Sequence, residues 1–319
     1  MRRVSILVLL ALLAAGCSGS SDPTLVDGVE ITDEEIAALH VDVDELDEDE
    51  RSGTMLLLIL REAFGARAAD DLDVVPDDAD VDAAFEEYVE RFESRGGIDS
   101  VLSALNQTPE RVRIEAELDT IRANVSETLV RTEAPGFDLV GAYEAYLLIE
   151  AEICLQLIQL EAAPDFDAAR ERLDAGEAFA TVARELSIDP FVDRDDGSGA
   201  GGDLGCSAPN ALPGGLDTAS LTAPLNEPSG PVLADTGLYL IDVYERTAPD
   251  LTEVRGEVIE FAVEQQGPEM FRRWAVDVLQ TIEVDLAEDF GTWAMLPETD
   301  PVPTVVPDYR SGDIIESGS

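Results

Sequence analysis

The stretch that decides the fold is Gly201-Gly202-Asp203-Leu204-Gly205. Two adjacent glycines ahead of an Asp-Leu-Gly step allow positive φ and close backbone approach, which suits a tight entry into a short strand. Upstream, Leu173, Gly176, Phe179, Ala183, Ser187 and Asp189 follow an apolar run, Ile153 to Leu160, that reads as a strand. Between them, 166–175 and 178–186 read as helices, and 193–202 is a Gly/Asp loop. Downstream, Gly230-Pro231-Val232 precedes Thr236-Gly237-Leu238-Tyr239-Leu240-Ile241-Asp242-Val243.

Outside this stretch the chain reads as mainly helical. Val26 to Ile31 alternates as a short strand with a turn. Thr32-Asp33-Glu34-Glu35 is a capping box that starts a helix through Ile36 and Leu39. Asp42 to Glu50 reads as a solvated acidic loop or a frayed helix end. Met55 to Phe64 is apolar enough for a buried helix, and Val81, Ala84, Phe85, Tyr88, Val89 and Phe92 recur at helical spacing. Thr108-Pro109-Glu110 opens a long helix carrying Ile114, Leu118, Ile121, Val125 and Leu129. Residues 137–150 read as a further helix. After Arg246, Thr252 caps a helix that Gly267-Pro268 interrupts, and 282–285 alternates like an edge strand. From Pro297 onward the text is proline-rich, acidic and without periodicity, as in a disordered tail.

Composition and termini bound the compartment. With 319 residues and 45% apolar content the chain can bury one or two cores. Its formal charge is −49, and all 20 basic residues are arginine, so nucleic acid and anionic lipid headgroups are repelled as partners. Met1-Arg2-Arg3 followed by the apolar run Val4 to Ala15 has the form of an export signal, too short to span a bilayer as a mature helix. Leu13-Ala14-Ala15-Gly16-Cys17 resembles the bacterial lipobox, which implies cleavage before Cys17, lipidation of that cysteine and a membrane anchor. Residues 17–25 then read as a tether.

The motifs around the glycine run, in this order and spacing over roughly ninety residues, resemble the parvulin-type peptidyl-prolyl isomerase domain, and Val26-Asp27-Gly28 with Ile31-Thr32 resembles the opening of SurA/PrsA-like foldases. The implied fold class is α+β: a helical body at 26–149 and 250–286 with a β-α-α-α-β-α-β-β parvulin-like domain inserted at 150–246. The implied activity is cis–trans isomerisation of X-Pro bonds in exported polypeptides, outside the cytoplasm and without a cofactor. In that fold Cys154 and Cys206 fall on neighbouring strands, which implies a disulfide; two separately buried thiols are the alternative.

The chemistry that can be carried is limited. His40 is the only histidine, so histidine metal clusters are excluded and a Ser-His-Asp triad has no local context. Asp193, Asp195, Asp196 and Asp203 fail the EF-hand spacing, so no metal is expected. Isomerisation needs only an apolar cup for the proline ring and hydrogen bonds to the rotating carbonyl or imide nitrogen. The resemblance puts the cup at Leu212, Leu216 and Leu221, and the polar network at Asp189 and Thr236. Both family histidine positions are occupied by other residues, one by Tyr239 and the other by Leu157, or by Leu155 if the register shifts by two. The resemblance therefore implies either an isomerase using Tyr239, Asp189 and Thr236, or a non-catalytic holdase with a degenerate parvulin domain. A lipoprotein adaptor for one partner is the third reading.

Overall fold

The computed structural model describes residues 23–93, 96–189, 201–287, 290, 292–296 and 302–306. Cys17 and Asp193 to Asp196 lie outside them. No helix among the described residues is long and apolar enough to cross a membrane. The chain divides into two compact units, Met1–Thr128 with Phe271–Ser319, and Leu129–Met270.

The first unit begins with the hairpin β1 (Thr24–Val26) and β2 (Val29–Ile31), closed by the two-residue turn Asp27-Gly28. Thr32 caps α1 (Asp33–Ala38) through the expected capping box. A second capping box follows: Asp47 accepts from Glu50 N at 2.8 Å and starts α2 (Glu48–Leu72). The acidic run is therefore in part a helix start, because carboxylates satisfy free N–H groups and favour the positive end of the helix dipole. Helices α3 (Asp78–Glu93), α4 (Ile98–Ala104) and α5 (Pro109–Arg131) come next. Tyr88 on α3 donates to Asp119 on α5 at 2.6 Å.

His40 is buried here: Nδ1 donates to the Asn106 carbonyl (3.1 Å), and Nε2 lies 2.7 Å from the Thr54 hydroxyl. Burial, the largest influence, holds its pKa below the usual 6.5; the Asn106 hydrogen bond and Glu50 pull it up, and Arg111 pushes it down. A histidine with a depressed folded pKa contributes stability above 6.5 that is lost as pH falls toward the folded value. Lowering the pH from 7.5 to 5.5 is thus expected to reduce the thermal midpoint, and His40→Gln to remove that component. Equal pH slopes in the two proteins would contradict the assignment.

Helix α6 (Leu139–Glu150), capped by Asp138, leads into β3 (Glu152–Leu160), α7 (Ala163–Asp174), α8 (Phe179–Leu186), β4 (Asp203–Ser207), a 3₁₀ turn (Pro209–Ala211), α9 (Leu216–Thr222), β5 (Ser229–Ala234) and β6 (Gly237–Thr247). The four strands form an antiparallel sheet in the order β4-β3-β6-β5. One face, with Ile158, Leu160 and Leu240, packs on α7 and α8 through Ala169, Phe179, Val182 and Ala183. The other packs under α9 and the 3₁₀ turn.

The last helix, α10 (Leu251–Thr281), departs from the sequence reading twice. Asp250 is its first-turn acceptor, taking Thr252 N at 2.8 Å and the Thr252 hydroxyl at 2.7 Å, and these bonds hold the Asp250 carboxyl below its usual range. The helix also continues through Pro268, which was expected to break it. Buried Ala262 and Met270 flank the proline, and Phe271 and Trp274 pack against Phe64 at centroid distances of 5.7 and 5.6 Å. Burial on both sides outweighs a cost of about 3 kcal/mol for an interior proline.

Two boundaries also differ. Helix α6 and the first part of α10 were assigned to the helical body but group with the sheet. Tyr143 donates to the Pro249 carbonyl, Tyr146 donates to Glu257 and packs edge-on to Phe261, and α6 lies beside the 3₁₀ turn. Strand β7 (Val284–Asp285) pairs with β1, giving the order β2-β1-β7. Within the stretch expected to be a disordered tail, Val302–Val306 forms β9, antiparallel to β8 (Thr292–Leu296). Val302, Thr304, Val305 and Val306 are β-branched, which favours a strand despite Pro303.

Candidate functional site

The site is built on the sheet face carrying Ile153, Leu155 and Leu157 of β3 and Tyr239, Ile241 and Val243 of β6, which alternate to one side as strand geometry requires. Leu212, Leu216 and Ala223 cover them from the 3₁₀ turn and α9, and Leu221 packs at the margin. Leu157, Leu212, Leu216 and Tyr239 are thereby brought into one cluster. They are buried against one another, with Leu216 1% and Tyr239 4% exposed, so the cluster is a filled core and not an open cup. Leu155 lies on the same face as Leu157, so both registers considered from sequence point to this cluster.

A polar edge adjoins it. The Thr236 and Tyr239 hydroxyls are 2.6 Å apart, and Thr236 is exposed while Tyr239 is buried. Asp189 lies on the loop after α8, where its N–H donates to Ser187 Oγ at 3.3 Å. That loop docks on β3: Ile188 N donates to the Gln159 carbonyl (2.9 Å), and Gln159 N to Ser187 Oγ (3.1 Å). Gln159 is the register partner of Tyr239.

The glycine run sets this arrangement from below. Gly202 has φ +87°, its carbonyl accepts from Leu157 N at 2.9 Å, and a Cβ there would lie 2.3 Å from the Leu157 carbonyl oxygen. Asp203 accepts from Gly205 N and from the Tyr244 hydroxyl, both at 2.9 Å; burial, followed by that Asp203 bond, pushes the Tyr244 phenol up. Cys154 and Cys206 are register partners on β3 and β4 and are joined as a disulfide.

Two contributors escaped the sequence reading. Arg246, read there only as the end of the domain, donates to the Ser220 carbonyl (3.2 and 2.8 Å) and to that of Ala223, holding the C-terminal end of α9. Burial lowers its pKa, against the favourable pull of the carbonyls it faces. Gln159 is the other; the signal for it was a polar residue interrupting an otherwise buried strand end. A separate cavity of about 440 Å³ is lined by Arg131, Arg255, Gly256, Glu257, Ile259 and Glu260, none of which belongs to this cluster. For cations, the described residues offer only the grouping of Glu152 with the disulfide-bonded cysteines.

The four-stranded antiparallel sheet with this element order has a parvulin-like fold. Comparison with known proteins agrees. The chain is similar to the foldase protein PrsA of Halalkalibacterium halodurans, 26% identical over 302 residues, covering 90% of this chain and 83% of that protein. It is also similar to the chaperone SurA of Methylobacillus flagellatus, 34% identical over 95 residues, a match that spans 30% of this chain and only 20% of that protein. Among solved structures, the peptidylprolyl isomerase PrsA of Bacillus cereus shares the fold, with a TM-score of 0.53 at 15% identity over 85% of this chain and 96% of that one. No family model matches. The chain is thus similar in sequence to a PrsA foldase over most of its length and shares the fold of a PrsA structure.

Proposed function

We propose that this protein is an extracytoplasmic folding factor, tethered to the membrane by a lipid on Cys17, that binds X-Pro segments of exported polypeptides and speeds their cis–trans isomerisation. The observation that carries the reading is the Thr236–Tyr239 hydroxyl pair, 2.6 Å apart, at the edge of the apolar cluster of Leu157, Leu212 and Leu216. Planar amide resonance sets a barrier of about 18 to 20 kcal/mol. Twisting the bond breaks that resonance, withdrawing charge from the carbonyl oxygen and localising the lone pair on the imide nitrogen. An apolar surface around the ring raises the strength of any hydrogen bond made there, and a hydroxyl donating to that nitrogen favours the twisted amide without a nucleophile. Asp189, on the loop docked to Gln159, adds a carboxylate at the same end of the sheet. With a formal charge of −49, the chain suits basic or neutral clients over acidic ones.

The close packing of Leu216 and Tyr239 favours a second reading, a holdase that binds extended segments without turning over prolyl bonds. A protease-free isomerisation assay on a proline tetrapeptide separates the two. The isomerase reading expects acceleration above the solvent rate, with Tyr239→Phe and Asp189→Ala each lowering kcat/KM by about tenfold or more. Solvent rates combined with suppression of client aggregation would leave only the holdase.

A further inference from the structure

The geometry points to Gln159 as a positioning residue of the proposed site, the joint that fixes where the Thr236 and Tyr239 hydroxyls sit. This rests on the isomerase reading above. Its side-chain Nε2 donates to the Thr236 main-chain carbonyl at 2.6 Å, while Thr236 Oγ1 and Tyr239 Oη form their own bond at 2.6 Å. Across the strands Gln159 stands directly opposite Tyr239. Its main chain meanwhile carries the loop of Ser187 to Asp189, through Ser187 Oγ and Ile188 N. One residue is therefore bonded both to the turn bearing Thr236 and to the loop bearing Asp189, and it is the strand partner of Tyr239. The turn is shaped to receive the amide: a Cβ at Gly237 would come within 3.1 Å of Gln159 Nε2.

Packing alone does not call for glutamine here. The neighbouring β3 positions Leu155, Leu157, Ile158 and Leu160 are buried leucine or isoleucine, and Gln159 is only half-buried. An accessible amide-to-carbonyl bond contributes little to stability, so its consequence lies in orientation. Holding the Thr236 carbonyl fixes the turn, which fixes Oγ1 and, through it, the direction in which the Tyr239 hydroxyl donates.

The test is a double-mutant cycle in the full chain, using Gln159→Leu, Tyr239→Phe and the pair. Gln159→Leu is expected to lower kcat on a proline tetrapeptide by about tenfold, with KM within about twofold and the thermal midpoint little changed. In the pair, the loss should be no larger than that of Tyr239→Phe alone, because both changes disable one hydroxyl. Multiplying losses, or a loss that tracks the thermal midpoint, would overturn the inference. A second readout does not need turnover: in an NMR spectrum the Gln159 side-chain amide, assigned by its disappearance in Gln159→Leu, is expected to shift in Tyr239→Phe. An unmoved resonance would overturn the link, whereas a shifted one in a wild-type chain that leaves the solvent rate unchanged would sink the isomerase reading and keep the link.

Discussion

Alanine in place of Gly202 is expected to lower the stability of the sheet unit by about 2 to 5 kcal/mol, read as a lower denaturation midpoint. The estimate combines two costs. Gly202 has φ +87°, a left-handed conformation that strains any residue with a Cβ, and the added carbon would lie 2.3 Å from the Leu157 carbonyl oxygen, where β3 backbone must move to make room. Moving β3 there disturbs the bond from Leu157 N to the Gly202 carbonyl and the strand on which the site is built. Gly256→Ala is the matching control, since its Cβ meets nothing within 4 Å inside α10; it should gain up to about 1 kcal/mol. A Gly202→Ala protein as stable as the wild type would mean that the glycine run does not set this turn.

Loss of the Cys154–Cys206 disulfide is expected to be comparably damaging. It closes a loop of sequence separation 52, for which loop-closure entropy gives about 4 kcal/mol relative to the unbridged chain. Cys206 is exposed and Cys154 buried, so the bond is accessible to a reductant from one side. Denaturation with and without a dithiol, and of Cys206→Ser, should show the same drop in midpoint. Thiol labelling of the native oxidised protein that modified both cysteines would contradict the bridge.

The sheet unit was largely legible because its signals are local. Ile153 to Leu160 is a short apolar run buried on both faces, and the glycine run and the Thr236-Gly237 turn each announce a chain reversal. The cup positions came from the family resemblance, and Leu157, Leu212, Leu216 and Tyr239 lie in one cluster. What sequence could not convey was that they meet as a filled core. Gln159 and Arg246 were missed for a related reason: their partners are main-chain carbonyls at Thr236, Ser220 and Ala223, and every residue has a carbonyl. The passage of α10 through Pro268 was equally hidden. Beyond the proline, Phe271 and Trp274 pack on Phe64, some two hundred residues away in the chain, a contact no local pattern announces.

The proposed site is tested most directly by methyl NMR of leucine-labelled protein titrated with a proline tetrapeptide and with its alanine counterpart. The methyl resonances of Leu157, Leu212 and Leu216 are expected to shift together with the proline peptide and to stay in place with the alanine one, since a ring must displace these side chains to enter. Resonances that ignore both peptides, or respond equally to both, would contradict a proline-directed site on this face of the sheet.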